Sequence, residues 1–524
     1  MGNMGPQPAI KVVDIFAGPG GLGEGFASFT PAGSSRKPFR IVLSAEKEET
    51  AHQTLTMRAF YRRFAGPEEV PEEYYRMIRQ EMTPDDLRGE LAAEWAEAER
   101  EALLLELGPE SRRLHQEIRR RVGKDDSWVL VGGPPCQAYS LVGRARNKGK
   151  RDYVAEEDTR HFLYREYLEI LARFSPPVFI MENVRGILTA RVNGKRIFPG
   201  ILSDLHDPAR ALGAARPSVI YDIYPLSADA VGGAYCPDEP QGDLSRFLVR
   251  SEDLGVPQSR HRVILLGIRR GAGLREPVPL TSSSRVSIGQ VIRDLPKIRS
   301  ALSKGDSERA WADAVEAQKE RVLRILNKRQ DLWDVADEIL DTEFIEGASR
   351  HSRKRPDRRS AIAHQDWFHD PRLGVTLNHD SRGHMPADLG RYLYCAAFAK
   401  VRDGKSPTTR LDDFPKQLAA NHKSWESGKF ANRFRVQAPR SPSATVVSHI
   451  AKDGHYFIHP DPAQCRSFTV REAARAQTFP DNYFFMGERT AQFVQVGNAV
   501  PPLLARKIAE AVWGCMSGVD APSR

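Results

Sequence analysis

WVLVGGPPCQAYS, residues 128–140, begins as an apolar run from Trp128 to Val131, of the kind that forms a parallel strand buried on both faces. Gly132 and Gly133 end the run and let the backbone come close to a ligand. Pro134 and Pro135 fix two successive φ angles and remove two N–H donors, so the loop is stiff. Cys136 follows directly, a thiol on a rigid loop at the carboxyl end of a strand, where open α/β sheets bind ligands. A free cysteine is more commonly a small buried hydrophobe, yet two prolines and the polar Gln137 and Ser140 make poor core neighbours. From these residues alone Cys136 is either a core thiol or a nucleophile.

Upstream, KVVDIFAGPGGLGEGF (11–26) predicts a strand through Val12, Val13 and Ile15, a glycine-rich turn from Phe16 to Gly21, and a helix. Gly18, Gly20 and Gly23 satisfy GxGxxG, a weak signature alone. A helix amino terminus behind such a turn favours an anionic group, either pyrophosphate or the carboxylate of an amino-acid-like cofactor. Asp14, still on the strand, suits a cationic ammonium better than a phosphate. After a second strand, Ile41–Leu43, Glu46 stands where doubly wound nucleotide sites hold ribose hydroxyls. A nicotinamide and an S-adenosyl cofactor both fit these residues. Leu87 to Val122 alternates apolar and charged residues at helical spacing, broken at Gly108-Pro109, and predicts a helical hairpin within an insertion of about 50–126. Arg119, Arg120 and Arg121 read there as a solvated helix face rather than a phosphate contact.

Downstream, 141–158 is a basic, glycine-containing loop suited to closing over a site, and His161–Phe174 is an amphipathic helix. VFIMENVRG is a strand ending in Glu182 and Asn183. A carboxyl group emerging from a buried strand at the ligand-binding edge can serve as a general acid, or as a cap on a following helix. Tyr221–Leu226 is a further strand. Gln258, Arg260 and Arg262 alternate just before the strand VILLGI, which places all three on one face, in reach of a shared anionic or polar ligand. Beyond about Ser282 the chain turns polar, irregular and basic, more like a recognition domain than a catalytic one, and its run RHSRKRPDRRS (350–360) is either a phosphate contact or a solvated linker. A hairpin is predicted from Ser441, a helix over Arg466–Phe479 capped at or near Thr469, and a closing turn and helix through VGNAVPP.

With 524 residues, 40% of them hydrophobic, the chain can bury cores for two or more domains. It has no apolar run long enough to span a membrane and no secretory-type leader. Its 5 cysteines are scattered without a CxxC pair, which argues for a reducing, cytoplasmic setting. His455 and His459 lie in a strand-like stretch, GHYFIHP, that itself holds no acidic ligand, so no metal site is expected. The net charge of +9 fits a polyanionic partner or a merely basic enzyme.

DIFAGPGGLG, GGPPCQAYS, MENVRG, QSRHR, REAARAQTFP and VGNAVPP occur in this order, and together they closely resemble the cytosine-5 DNA methyltransferases over about Val12 to Ala509. The resemblance implies an α/β fold: a doubly wound, mostly parallel sheet binding S-adenosylmethionine (1–284, with the helical insertion), a smaller target-recognition domain (285–435), and a return to the catalytic domain (436–524). It makes Cys136 the nucleophile, Glu182 the group at ring nitrogen-3, and Arg262 a ligand of the base, with Gln258 and Arg260 as its companions. Phe16, Ala17, Gly18, Gly20, Gly21 and Leu22 match the cofactor turn, and Glu46 the ribose ligand. Leu163 matches a contact near the adenosine, Pro134 a residue near cofactor and base, and Asn498 and Ala499 a late contact. The family's adenine-binding Asp has no counterpart that can be placed between Glu46 and the cysteine strand. The implied partner is duplex DNA, methylated by a monomer, with or without a cognate restriction or defence nuclease.

Other readings compete. One branch of the family methylates a tRNA, but that branch is compact and the 285–435 region is not. A catalytically silent DNA-binding member is at odds with intact Cys136, Glu182 and Arg262. A nicotinamide oxidoreductase leaves the PPC loop unexplained.

Overall fold

The computed structural model describes residues 9–124, 126–135, 160–192, 194–214, 219–230, 233–237, 243–345, 349–408, 413–420 and 433–517. An 8-stranded sheet organises the catalytic half. Its strands are β1 (Ile10–Ile15), β2 (Phe39–Glu46), β3 (Ala102–Leu104), β4 (Trp128–Gly132), β5 (Val178–Val184), β6 (Tyr221–Pro225), β7 (Leu248–Arg250) and β8 (His261–Arg269). They lie in the order β3-β2-β1-β4-β5-β8-β6, with β7 also alongside β8. Neighbours from β3 to β5 are parallel, while β8 runs antiparallel to β5, β6 and β7. The order in which strands are added reverses between β1 and β4, so the carboxyl ends of these parallel strands form a crevice of the kind that holds ligands in doubly wound folds.

Both faces are covered, which explains the continuous apolar runs. Val13, Ile15, Leu43 and Leu130 pack with Leu114, Tyr167 and Leu202 of the helices Ser111–Val122, Arg160–Phe174 and Phe198–His206. Val12, Ile41, Val129 and Ile180 pack on the other side with Phe26 and Leu504 of the helices Gly21–Ser28 and Pro502–Met516. Gly21 and Gly25 are required there: an added Cβ would lie 2.1 Å from the Val500 carbonyl oxygen and 2.3 Å from the Ala505 Cβ. The two ends of the chain thus interlock.

The insertion differs from the predicted hairpin. Helix Ala92–Glu101 gives way to β3, which pairs with Ser44–Glu46, and only then does helix Ser111–Val122 begin. The apolar spacing continues across the junction, so periodicity does not reveal the change. Pairing with β2 decides it, and Arg62 and Arg63 hold the Glu101 carboxylate at the helix end (2.5 and 2.6 Å).

The stretch after Ser282 is also more regular than its composition suggests. Helices Glu308–Leu326, Trp333–Leu340 and Pro386–Val401 surround a core of their own that includes Trp311, Val335 and Tyr392. The hairpin predicted from Ser441 does not form. Ser443–Ala444 instead pairs in parallel with Gln258–Ser259, and Ile458 bridges Val436 and Ser467. The cap at Thr469 is as predicted: its side chain accepts from the Glu472 N–H, whose carboxylate accepts in return from the Thr469 N–H at 2.8 Å, in a capping box. The helix so begun, Val470–Ala476, is shorter than expected, and helix Arg489–Asn498 precedes the closing one.

Around that cap, burial pushes the imidazoles of His379 and His459 down to about 4. Both side chains are neutral in the folded protein at neutral pH. An unfolded chain takes up their protons near pH 6.5, so the stability they contribute is complete above that pH and is lost as pH falls from about 6.5 towards 4, by up to about 3 kcal/mol for each group. Thermal unfolding of the whole chain between pH 7 and pH 5 should show a falling midpoint. In His379→Gln the fall should be visibly shallower; an unchanged slope would refute the assignment.

Candidate active site

β4 delivers the chain to its loop at Gly132. An added Cβ there would lie 2.7 Å from the Ile15 carbonyl oxygen, and one on Gly133 would lie 2.9 Å from Glu182 Oε2, so both glycines answer to close neighbours. Pro134 is buried and its carbonyl accepts from Asn183 Nδ2 at 3.4 Å, while Asn183 Oδ1 accepts from the Val184 N–H at 2.8 Å. These bonds tie the proline loop to the end of β5. Cys136, with Gln137, Ser140 and the basic loop 141–158, lies outside the described residues, which stop at Pro135.

Glu182 sits at the end of β5. The antiparallel register sets Ile264 opposite Glu182 and Arg262 opposite Val184, which brings the Arg262 side chain back along the pair. Arg262 Nε approaches Glu182 Oε1 to 2.7 Å, with side chains 9% and 12% exposed, enclosed yet reachable. The N–H is not aimed along this contact and makes no hydrogen bond among the described residues. Glu182 is not a helix cap: the turn Arg185–Leu188 starts at Val184 and has no side-chain cap.

Gln258 and Arg260 do not join this pair. Gln258 Nε2 donates to the Ala476 carbonyl and Gln477 Oε1 (3.1 and 3.0 Å), and its Oε1 accepts from the Val446 N–H at 2.7 Å. Arg260 is buried and donates to the Val446 and Gly497 carbonyls (2.7 and 3.2 Å). The expectation of one shared face fails because Gln258-Ser259 leave the main sheet to pair with Ser443–Ala444 and β8 begins only at His261. These two side chains fasten the sheet to the carboxyl-terminal segments.

On the other side of the crevice, Phe16 and Gly18 both have φ of 57° and Gly20 has 99°. A left-handed phenylalanine is uncommon and marks a turn held by its surroundings. The Ala17 N–H donates to the Ala45 carbonyl at 3.1 Å, and the Gly18 N–H to Glu46 Oε2 at 2.8 Å. Glu46 Oε1 accepts from the N–H groups of Lys47 and Glu48 (2.9 and 2.8 Å). The carboxylate therefore shapes the turn. The space where a Cβ of Gly18 would point is open, whereas Gly20 and Gly21 face Leu55, Tyr483 and Val500.

Three residues assigned to the cofactor sit deeper than expected. Leu22 is a core residue beneath the turn, and Leu163 packs half-buried against the opposite sheet face. Asp14 is fully buried, accepting from the Gly23 N–H at 3.2 Å. Burial pushes its carboxyl up to about 7, against the opposing pull of the Gly23 N–H and Arg62, and its Oδ1 has no hydrogen-bond partner among the described residues. Asn498 is exposed, while Ala499 is buried and its carbonyl accepts from Gln477 Nε2 at 3.4 Å. Sequence reasoning did not single out Glu106, which follows β3 and lines, with Lys47, Glu48 and Leu105, a cleft at the ends of β2 and β3. Only recognition of β3 as a strand could have found it. Among the described residues no group of histidine, cysteine and carboxylate side chains is arranged to hold a metal, and no helix is long and apolar enough to cross a membrane.

Residues 114–208 and 244–513 match the family described as C-5 cytosine-specific DNA methylase. The chain belongs to that family. A type II methyltransferase of Bacillus paralicheniformis is 32% identical over 97% of this chain and 99% of its own. A type II methyltransferase of Thalassovita gelatinovora is 29% identical over 73% of this chain and 82% of its own. A DNA (cytosine-5-)-methyltransferase of Aeropyrum pernix is 27% identical, covering 74% and 81%. The methyltransferase carries the sheet and crevice expected of its family, with β8 as the antiparallel strand that supplies Arg262.

Proposed function

We propose that this methyltransferase modifies carbon-5 of a cytosine in duplex DNA through a transient bond to Cys136, with S-adenosylmethionine as donor. The observation that carries the reading is the Glu182–Arg262 pair, 2.7 Å apart, against the loop that leads into Cys136. Carbon-5 of cytosine is a poor nucleophile until carbon-6 is attacked. The Cys136 thiolate adds to carbon-6, and the ring electrons shift towards carbon-5 and nitrogen-3 as Glu182 delivers a proton or a strong hydrogen bond to nitrogen-3. Arg262 takes the ring carbonyl oxygen, so the ion pair of the free enzyme is exchanged for contacts with the base. Once carbon-5 has taken the methyl, its proton is lost to solvent, the carbon–sulfur bond breaks to return the thiolate, and nitrogen-3 gives its proton back to Glu182. None of these groups can reach a base inside a duplex, so the target is flipped out.

The residues on the cofactor side fit S-adenosylmethionine. The open space at Gly18, the exposed Asn498 and the cleft lined by Glu106 can receive it, with Phe16, Ala17, Gly20, Gly21, Glu46, Pro134 and Ala499 around them. When bound, it supplies an electrophilic methyl on a sulfonium. Glu106 is our candidate for the adenine-side acid.

We assign target recognition to the 285–435 region and infer a monomer acting in the cytoplasm, in restriction-modification or phage defence. Incubation with methyl-labelled S-adenosylmethionine and either duplex DNA or tRNA tests the substrate. Label in DNA supports the reading; label confined to tRNA replaces it.

Arg353, Lys354 and Arg355 are exposed, and Arg355 also donates to the Gly374 carbonyl at 3.1 Å. Reversing all three charges should weaken binding to any duplex alike and lower the slope of log affinity against log salt by about 1 for each phosphate no longer neutralised. An unchanged slope in a salt titration would make the run a solvated linker.

A further inference from the structure

Two adjacent buried residues, Asn482 and Tyr483, stand between the cofactor turn and the region after Ser282 and bond to both sides. The Tyr483 hydroxyl donates to the carbonyl of Pro19, at the middle of the glycine turn, and lies 3.0 Å from where a Cβ of Gly20 would be. Asn482 Oδ1 accepts from Arg58 Nη1 at 3.0 Å. The same guanidinium makes a two-point bond to Glu24 (2.7 and 2.5 Å), on the helix that the turn opens. Facing the other way, Asn482 Nδ2 donates to Asp370 Oδ2 at 2.7 Å, and that oxygen also accepts from the Tyr75 hydroxyl at 2.8 Å. Asp370 begins the 370–378 segment, which the insertion grips further. Arg372 donates to the carbonyls of Pro67, Glu68 and Val70, and its guanidinium stacks 4.4 Å from the Tyr75 ring.

We propose that Asn482 and Tyr483 are positioning residues that couple the cofactor turn to the 370–378 segment, so that filling the turn stiffens part of the 285–435 region assigned above to target recognition. The inference rests on the reading that S-adenosylmethionine occupies the Phe16–Gly21 turn. The physical ground is continuity. Every member of the chain Glu24, Arg58, Asn482, Asp370, Tyr75 is buried and hydrogen-bonded to the next, so a shift at the turn cannot be absorbed by solvent on the way. Pro19 can move only by breaking or dragging the Tyr483 hydroxyl. Linkage makes the effect reciprocal: whatever cofactor does for DNA affinity, DNA does for cofactor affinity, commonly about 5- to 150-fold in such couplings.

Hydrogen–deuterium exchange of the full chain, with and without saturating S-adenosylhomocysteine, tests this. In the wild type the compound should slow the amides of 16–24 directly and those of 370–378 at a distance, the latter by about 5-fold or more. Tyr483→Phe keeps the ring and removes only the hydroxyl. At saturation it should retain the slowing at 16–24 and lose it at 370–378. Tyr75→Phe, at the far end of the chain, should speed exchange at 370–378 before any ligand is added and blunt its response, without changing 16–24. Equal slowing at 370–378 in the wild type and Tyr483→Phe overturns the coupling, as does slowing in the wild type confined to 16–24. Absence of any change at 16–24 overturns the cofactor placement itself, and the coupling with it.

Discussion

Cys136→Ser should abolish methyl transfer while leaving binding of duplex DNA and S-adenosylhomocysteine nearly intact. A serine hydroxyl is almost wholly protonated at neutral pH, whereas a thiol yields a usable fraction of thiolate, and carbon-6 addition needs the anion. Pro134, two residues before this position, is held by Asn183 through its carbonyl. A duplex carrying 5-fluorocytosine sharpens the test. Fluorine cannot leave as a proton does, so the wild type should form an adduct that survives SDS and shifts a gel band, and Cys136→Ser should form none. Equal methylation by the two proteins would remove Cys136 from the mechanism.

Glu182→Gln is the second large effect. An amide is a poor acid, so the single-turnover rate should fall by about 100-fold or more, the usual worth of a positioned proton donor. The fold should tolerate the change. The side chain caps no helix, and glutamine keeps the length and shape of the side chain that lies 2.7 Å from Arg262 Nε. Adduct formation with the fluorinated base should slow in parallel, because protonation at nitrogen-3 assists thiolate addition. Wild-type single-turnover rates in Glu182→Gln would leave the acid to be sought elsewhere.

The features legible in the sequence are those set by neighbours along the chain. The Thr469 cap needs only Glu472 three residues on, and β1, β4 and β5 are apolar runs ended by glycine, proline or a polar pair. Glu182 and Arg262 are each suggested by residues near them in sequence, although their contact depends on β5 and β8 pairing antiparallel. The features not legible are set by distant partners. Ala102–Leu104 is a strand because β2 lies beside it, and Glu106 is hidden with it. Gln258 and Arg260 alternate with Arg262 in sequence, but their hydrogen bonds go to main-chain groups of 446, 476 and 497 and to the Gln477 side chain. Helix Glu308–Leu326 is an amphipathic element whose polar face dominates its composition; its apolar side meets the largely buried helix Pro386–Val401 only in the folded core.

The interlock of the first helix with the last has a consequence for synthesis. Gly21 and Gly25 pack on Val500 and Ala505, so the Phe16–Gly21 turn gains these packing partners only when residues 500–516 have left the ribosome. At about 5–20 residues per second, that is a wait on the order of half a minute to a minute and a half. During that interval the growing polypeptide has the glycine turn, the proline loop and β5 but no finished pocket. A nascent chain still lacking residues 500–516 should therefore be inert.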